Sequence, residues 1–355
     1  MYSNQVFISA YTALNFGDDL FISCLCKRYP QTQFHLICQD EYIKGFINID
    51  NLRIHKNERN LDEHLVSYNL QIDVQVMIGG SLFMEPSDKR KTLAKAKSVQ
   101  SERISPLIPF VIVGANFGPY FSNEHFATYK NWFSNANDVC FRDSASYELF
   151  NDIASVRWAP DILFTYPLPA VAKTKSIVVS CINNDGRIGI PNYNQKEYNS
   201  SIATLVQCYV NMGYEVDILS FCVKQGDAIA AQEIYAQISN RSNVRTIAYN
   251  GDICAFLKRL LRAEYIIGTR FHSIILGWNA GIPVFPISYN SKTENALTAY
   301  GYLGDWCRIN KISDLTFEFI EGNRTKRNSL SMCNINERAE KQFQYLDQIL
   351  ITERD

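Results

Sequence analysis

The chain has 355 residues, 35 of them Lys or Arg and 36 Asp or Glu, for a formal charge of −1. That balance excludes a general electrostatic grip on nucleic acid or an anionic membrane, though not a local basic pocket. With 46% apolar and 20% charged residues the composition excludes a disordered chain, and the length suits two domains of roughly 150 residues each.

The first residues, Met1-Tyr2-Ser3-Asn4-Gln5, lack the basic flank of a signal peptide. No apolar stretch approaches the roughly 18 residues of a membrane span; the best run, 108–115, is interrupted by Pro109 and Gly114. Ten cysteines are scattered along the chain, and the close pair Cys24 and Cys26 has no His or second Cys pair nearby to make a zinc site. Cys38, Cys140 and Cys181 sit in apolar runs, as free thiols acting as small hydrophobes do. The expected compartment is a reducing cytosol.

Short apolar runs then alternate with helix-like stretches. Strands are predicted at 6–10, 34–38, 74–78, 110–113 and 139–141, and in a second series at 177–182, 216–219, 244–248, 265–267 and 284–287. Helices are predicted at 19–28, 123–136, 144–151, 195–212, 227–238 and 253–262, with a last pattern at 336–350. Continuous apolar strands closed by Gly, Asn, Asp or Pro are those of a parallel sheet covered on both faces. Residues 166–175, with Pro167 and Pro169 and no period, form the best linker. The expected architecture is α/β, two Rossmann-like doubly wound domains facing a cleft. Residues 1–168 form the first domain and 176–335 the second; a C-terminal helix in 336–355 packs back on the first.

Five strand ends could carry chemistry. In Gly268-Thr269-Arg270-Phe271-His272-Ser273 a strand is predicted to end and a helix to open at Ser273, placing Arg270 and His272 where free N–H groups favour an anion and a proton can move near neutral pH. A structural ion pair and a satisfied histidine are the alternative. In Asn15-Phe16-Gly17-Asp18-Asp19, Gly17 suits a tight turn, one Asp can cap a helix, and the other is left for a sugar hydroxyl or base work. Ile78-Gly79-Gly80-Ser81 lets backbone approach a ligand, or is a plain turn. The loop 114–119 with Asn116 is of the same type, and Arg142 in Cys140-Phe141-Arg142-Asp143-Ser144 either binds or pairs with an Asp while Asp143 or Ser144 caps.

Lys89, Arg90, Lys91, Lys95 and Lys97 read as a solvated helix face, or as a guide for an anionic or lipid-linked substrate at the inner face of a membrane. His35 lies in a strand-like run, and His55, His64 and His125 in polar helical or loop contexts; all four look structural. No dinucleotide fingerprint, Walker sequence, catalytic triad, His-Glu-x-x-His pattern or carboxylate cage is legible, so neither a metal nor a bound cofactor is expected.

Taken in order, these segments resemble the polysaccharide pyruvyl transferase family. They are Asn15-Phe16-Gly17-Asp18-Asp19, Gly79-Gly80, the 114–119 loop, Arg142-Asp143-x-x-Ser146, Pro160-Asp161-Ile162, Thr269-Arg270-Phe271-His272-Ser273, Gly281-Ile282-Pro283-Val284 and Tyr289-x-x-Lys292. Ser81 departs from the pattern, standing where many members carry a third glycine. The resemblance implies a GT-B-like fold, phosphoenolpyruvate as donor substrate, and an acceptor sugar, free or carrier-linked, with two suitably placed hydroxyls. The implied product is a cyclic pyruvate ketal in surface polysaccharide biosynthesis. Carried over, His272 is the catalytic histidine, and Arg270 and Arg142 hold the donor from the two sides of the cleft. Asp18 or Asp19 accepts a sugar proton, and Asn15, Gly79, Gly80, Asn116, Ser273 and Lys292 complete the substrate contacts. The rival expectations are a nucleotide-sugar glycosyltransferase of the same fold class and a glycan-binding relative without catalysis.

Overall fold

The structure, a computed structural model, describes residues 2–56, 71–86, 103–183, 193–325 and 330–351. The chain divides into two compact units: Met1–Thr12, Asp18–Thr165 and Asn336–Asp355 form one, Ala13–Gly17 and Tyr166–Ile335 the other.

The first unit carries β1 (Asn4–Ala10), most of α1 (Phe16–Arg28), β2 (Thr32–Cys38), β3 (Leu52–Lys56), β4 (Val74–Ile78), β5 (Phe110–Ala115), α2 (Asn123–Ser134), β6 (Asp138–Phe141), α3 (Ser144–Glu148) and β7 (Val156–Trp158). Its described strands pair in parallel in the order β3-β2-β1-β4-β5-β6-β7. The second unit carries β8 (Ser176–Ser180), α4 (Gln195–Asn211), β9 (Glu215–Ser220), α5 (Asp227–Ala236), β10 (Val244–Ala248), α6 (Ile253–Leu261), β11 (Tyr265–Gly268), α7 (Phe271–Asn279), β12 (Val284–Ser288), α8 (Ser291–Ala299), β13 (Cys307–Arg308) and α9 (Phe317–Thr325). Its sheet is also parallel, in the order β10-β9-β8-β11-β12-β13.

Every residue of β4, β5, β8, β11 and β12 is buried, which is why these strands read as unbroken apolar runs. Ile177, Val179, Ile218 and Ile267 pack in one core with Ile202 and Val206 of α4 and Ile234 of α5. In the first unit Ile112, Val139 and Phe141 pack with Tyr129, Trp132 and Phe133 of α2.

The ten predicted strands are present, and three more, β3, β7 and β13, were not predicted. β3, Leu-Arg-Ile-His-Lys, mixes charge into an edge strand, and β7 and β13 have only three and two residues. His55 therefore lies on a strand rather than in a loop or helix. The lysine-rich run 89–97 and His64 lie outside the described residues.

The expected helix at 336–350 is broken into α10 (Ile335–Glu340) and α11 (Gln344–Leu350) by a 3-10 turn, Lys341–Phe343. Gln342, fully buried in that turn, has turned inward to tie three strand ends. Its Nε2 donates to the carbonyls of Phe141 (3.1 Å) and Ala159 (2.7 Å), and its Oε1 accepts from Gly114 N (3.0 Å). Arg28 anchors the same segment through Asp347 (Nε–Oδ1 2.9 Å) and Glu340. Gln342→Leu would take this partner from the buried Gly114 N–H and Ala159 carbonyl, each costing about 1–3 kcal/mol, while the Phe141 carbonyl keeps Ala159 N. We expect a clear fall in the urea midpoint, whereas Leu107→Gln, at a fully exposed site, should leave the midpoint in place.

Candidate functional site

In a doubly wound sheet ligands gather at the carboxyl ends of the strands, where the strand order reverses. In the second unit this place lies between β8 and β11. Ser180 closes β8, and its Oγ accepts the N–H groups of Thr269 (3.0 Å) and Arg270 (3.1 Å). Ser273 is buried, its Oγ 2.6 Å from Ser180 Oγ and donating to the Arg270 carbonyl (2.6 Å). These bonds fix the turn from strand to helix. α7 starts at Phe271, two residues earlier than expected, with Arg270 as its N-cap residue.

Arg270 is 6% exposed. Its Nε donates to Asp227 Oδ2 (2.7 Å), its Nη2 pairs with Asp227 Oδ1, and its Nη1 donates to Gln225 Oε1 (2.7 Å), using three of the five guanidinium donors. Asp227, itself fully buried at the start of α5, also accepts Cys222 N (3.1 Å). Burial works against the guanidinium charge, but Asp227 outweighs it and holds Arg270 above its ordinary range.

His272 lies in the first turn of α7 and is half-buried. It rests against Ala13–Gly17, which belongs to this unit. That segment is pinned by a bridge between Asn15 and Cys222 and by Phe16 N donating to the Phe221 carbonyl (3.0 Å). The Phe16 ring sits 4.6 Å from Phe256, 5.2 Å from Tyr249 and 5.4 Å from Phe221. A Cβ on Gly17 would stand 1.6 Å from His272 Nδ1. Gly17 is thus not the tight-turn glycine expected: it is the second residue of α1, and what it supplies is room for the imidazole. Asn15 Oδ1 accepts Gly17 N (3.2 Å). At the end of the next strand Lys292, in the first turn of α8, holds Nζ 5.2 Å from the Tyr289 ring and 5.7 Å from the Phe271 ring. The second unit therefore brings Asn15, Arg270, His272, Ser273 and Lys292 to one edge.

In the first unit the order reverses between β1 and β4. Gly79 and Gly80 follow β4, and a Cβ on Gly80 would stand 2.7 Å from both terminal nitrogens of Arg142. Arg142 follows β6 and is 2% exposed; its Nη1 donates to Asp161 Oδ2 (3.0 Å) and its Nη2 to Asn116 Oδ1 (2.6 Å). Asn116 N donates to the Gly80 carbonyl (2.8 Å), and Ser81 Oγ donates to Asn116 Oδ1 (3.2 Å). Asp143 caps α3, accepting Ser146 N at 2.8 Å. Asp18 and Asp19 are not helix caps, because α1 has already begun at Phe16. They sit in its first turn, where a carboxylate complements the helix dipole, Asp19 fully buried and Asp18 half-buried.

Sequence reasoning passed over Asp227, Gln225 and Ser180, and used Asp161 only as part of a motif. The remaining described histidines are held structurally. His35 contacts Gln5 Oε1 (2.7 Å) and His55 (2.9 Å), and burial lowers its pKa to about 4, while His125 is buried against the Phe83 carbonyl (3.3 Å). Burial pushes the thiols of Cys24 and Cys140 up to about 12. Among the described residues no group of three His, Cys, Asp or Glu is placed to hold a metal ion, and no helix is long and apolar enough to cross a membrane.

Residues 15–291 match the sequence model of the family described as polysaccharide pyruvyl transferase. The chain belongs to the polysaccharide pyruvyl transferase family. A curated relative is the amylovoran biosynthesis protein AmsJ of Erwinia amylovora, 23% identical over 287 residues; the match covers 73% of this chain and 66% of AmsJ. Among solved structures, the UDP-GlcNAc 2-epimerase of Neisseria meningitidis bound to UDP-GlcNAc is similar with a TM-score of 0.61 at 11% identity, covering 99% of this chain and all of that one. Anabaena HepE with UDP-glucose gives 0.58 at 13% identity, covering 98% and 99%. These likenesses establish the fold, a GT-B-like pair of Rossmann-like units.

His272 thus stands where a methyl group on Gly17 would collide with its ring. Gly17→Ala is expected to displace the imidazole and change several-fold the rate at which diethyl pyrocarbonate labels His272, followed by mass spectrometry. Gly322→Ala, where an added Cβ meets nothing within 4 Å, should leave that rate unchanged. Asp227→Asn removes the counterion of a buried guanidinium and should lower stability by about 3–5 kcal/mol in urea unfolding.

Proposed function

We propose that this pyruvyl transferase family member moves the pyruvyl group of phosphoenolpyruvate onto two hydroxyls of a sugar, forming a cyclic ketal and releasing phosphate during surface polysaccharide synthesis. The observation that carries the reading is the edge of the second unit. There Arg270 and His272 open one helix and Lys292 the next, so N–H groups, a guanidinium and an ammonium serve a small multiply charged anion. His272 as imidazolium gives its proton to the methylene carbon, while the first sugar hydroxyl attacks the adjacent carbon and returns a proton to the imidazole. Phosphate then departs with the C–O bond pair, and the second hydroxyl closes the ring, its proton leaving with phosphate. The Arg270–Asp227 pair aims donors at the substrate. The chemistry asks for no metal.

General acid help of this kind is worth about 10² to 10⁴ in rate. His272→Gln should therefore cut phosphate release from phosphoenolpyruvate by that factor in the presence of a galactoside, glucoside or N-acetylmannosaminide acceptor, with product NMR locating the ketal. Full activity in His272→Gln would refute the mechanism. The second reading, a nucleotide-sugar enzyme, is favoured by UDP and UDP-sugars bound in the structural neighbours. It requires thermal stabilisation by a UDP-sugar and none by phosphoenolpyruvate.

A further inference from the structure

Four aromatic side chains of the first unit are exposed among its described residues: Tyr2, Tyr11, Tyr120 and Phe121. Tyr2 precedes β1. The other three gather at the carboxyl edge, with Tyr11 (39% exposed) just after β1, and Tyr120 (36%) and Phe121 (66%) in the loop after β5. β4, which Gly79-Gly80 follow, lies between those strands, so the two aromatic groups flank a floor of backbone about 10 Å across, the width of two strand spacings.

A single exposed aromatic needs no explanation, but this loop is built to hold its aromatics. Glu85, 5% exposed, accepts Ser122 Oγ (2.6 Å), Ser122 N (2.9 Å) and Phe121 N, and its own N–H donates to the Pro119 carbonyl (2.8 Å). Gly118 N donates to the Phe83 carbonyl (3.1 Å), and the Tyr120 ring packs 5.1 Å from Phe117 and 5.8 Å from Phe126. A buried carboxylate that takes three donors from two consecutive residues fixes the backbone from which Phe121 projects into solvent.

The charge at this edge narrows the ligand. Arg142 carries Asp161 as its counterion, so the pair adds little net charge to the edge. What the edge presents is aromatic faces, the half-buried Ser81 and the half-buried Asp18 in the first turn of α1. Aromatic faces against a C–H-rich ring, with hydroxyl and carboxylate groups for its rim, are the chemistry of a neutral sugar. We propose that Tyr11, Tyr120 and Phe121 form a stacking platform for a hexopyranose ring of the acceptor glycan. This deepens the function proposed above and rests on it for the role of the bound sugar.

The test reads binding without the donor. Saturation-transfer NMR with the methyl glycosides of galactose, glucose and N-acetylmannosamine should show transfer from wild-type protein to ring C–H protons of at least one. Phe121→Ala should weaken that binding about tenfold, the loss of one stacking contact. Phe121→Trp should retain it, as should Phe319→Ala, an exposed ring of the second unit. Binding unchanged in Phe121→Ala, or no transfer to any of the three glycosides, overturns the platform. The two proposals fail separately. If the wild type consumes phosphoenolpyruvate with an acceptor whose KM ignores Phe121, the platform falls and the ketal reading stands. If glycosides bind through Phe121 while phosphoenolpyruvate is never consumed, the reverse holds.

Discussion

A buried guanidinium is tolerated only in the company of a carboxylate, because removing either charge from water alone costs several kcal/mol. Arg270 and Asp227 meet that condition, and the rest of the second unit's edge is set by how they do so. Two nitrogens of Arg270 engage both oxygens of Asp227, so the guanidinium plane is fixed as well as its position. Arg270 is also the residue at which β11 gives way to α7, and Ser180 holds the N–H on either side of its turn. Fixing Arg270 therefore fixes the start of the helix, and with it the direction from which His272 leaves the backbone two residues later.

The first unit uses the same device with a different neighbour. Arg142 also follows a strand, its counterion Asp161 is fully buried, and Asn116 from the adjacent strand end takes the second nitrogen. Gly80 has no side chain because the guanidinium occupies its place. In both units an arginine that the family resemblance presents as donor-holding carries its own counterion. Such a pair contributes oriented N–H donors and rigidity, and little net charge.

The parallel sheets were legible because their strands leave short, largely apolar runs closed by turn residues, and residues 74–78 and 244–248 agree with β4 and β10 to the residue. What was not legible lacked that local signature. β3 alternates charge with apolar residues at a sheet edge, and the helical period at 336–350 says nothing of Gln342 turning inward to serve backbone groups some 180 to 230 positions away. At the site, the segments were visible but their partners were not. Asp227 looked like an ordinary first residue of a helix, since its bond to Arg270 spans 43 positions. Gly17 was visible as a glycine and misread as a turn, because nothing near it in the chain shows that an imidazole lies over its α-carbon.

The two edges differ in the residues they bring together, and that difference bears on chemistry more than the total charge of the chain does. At the second unit's edge Asp227 matches Arg270, and His272 and Lys292 lie in the first turns of two helices, where the backbone favours anions. At the first unit's edge Asp161 matches Arg142, and the exposed groups include the aromatic rings of Tyr11, Tyr120 and Phe121. The donor and acceptor proposed above would pose two such different binding problems. A near-neutral chain can solve both, because it neutralises each arginine locally and lets a few residues at each strand end set the sign of the field.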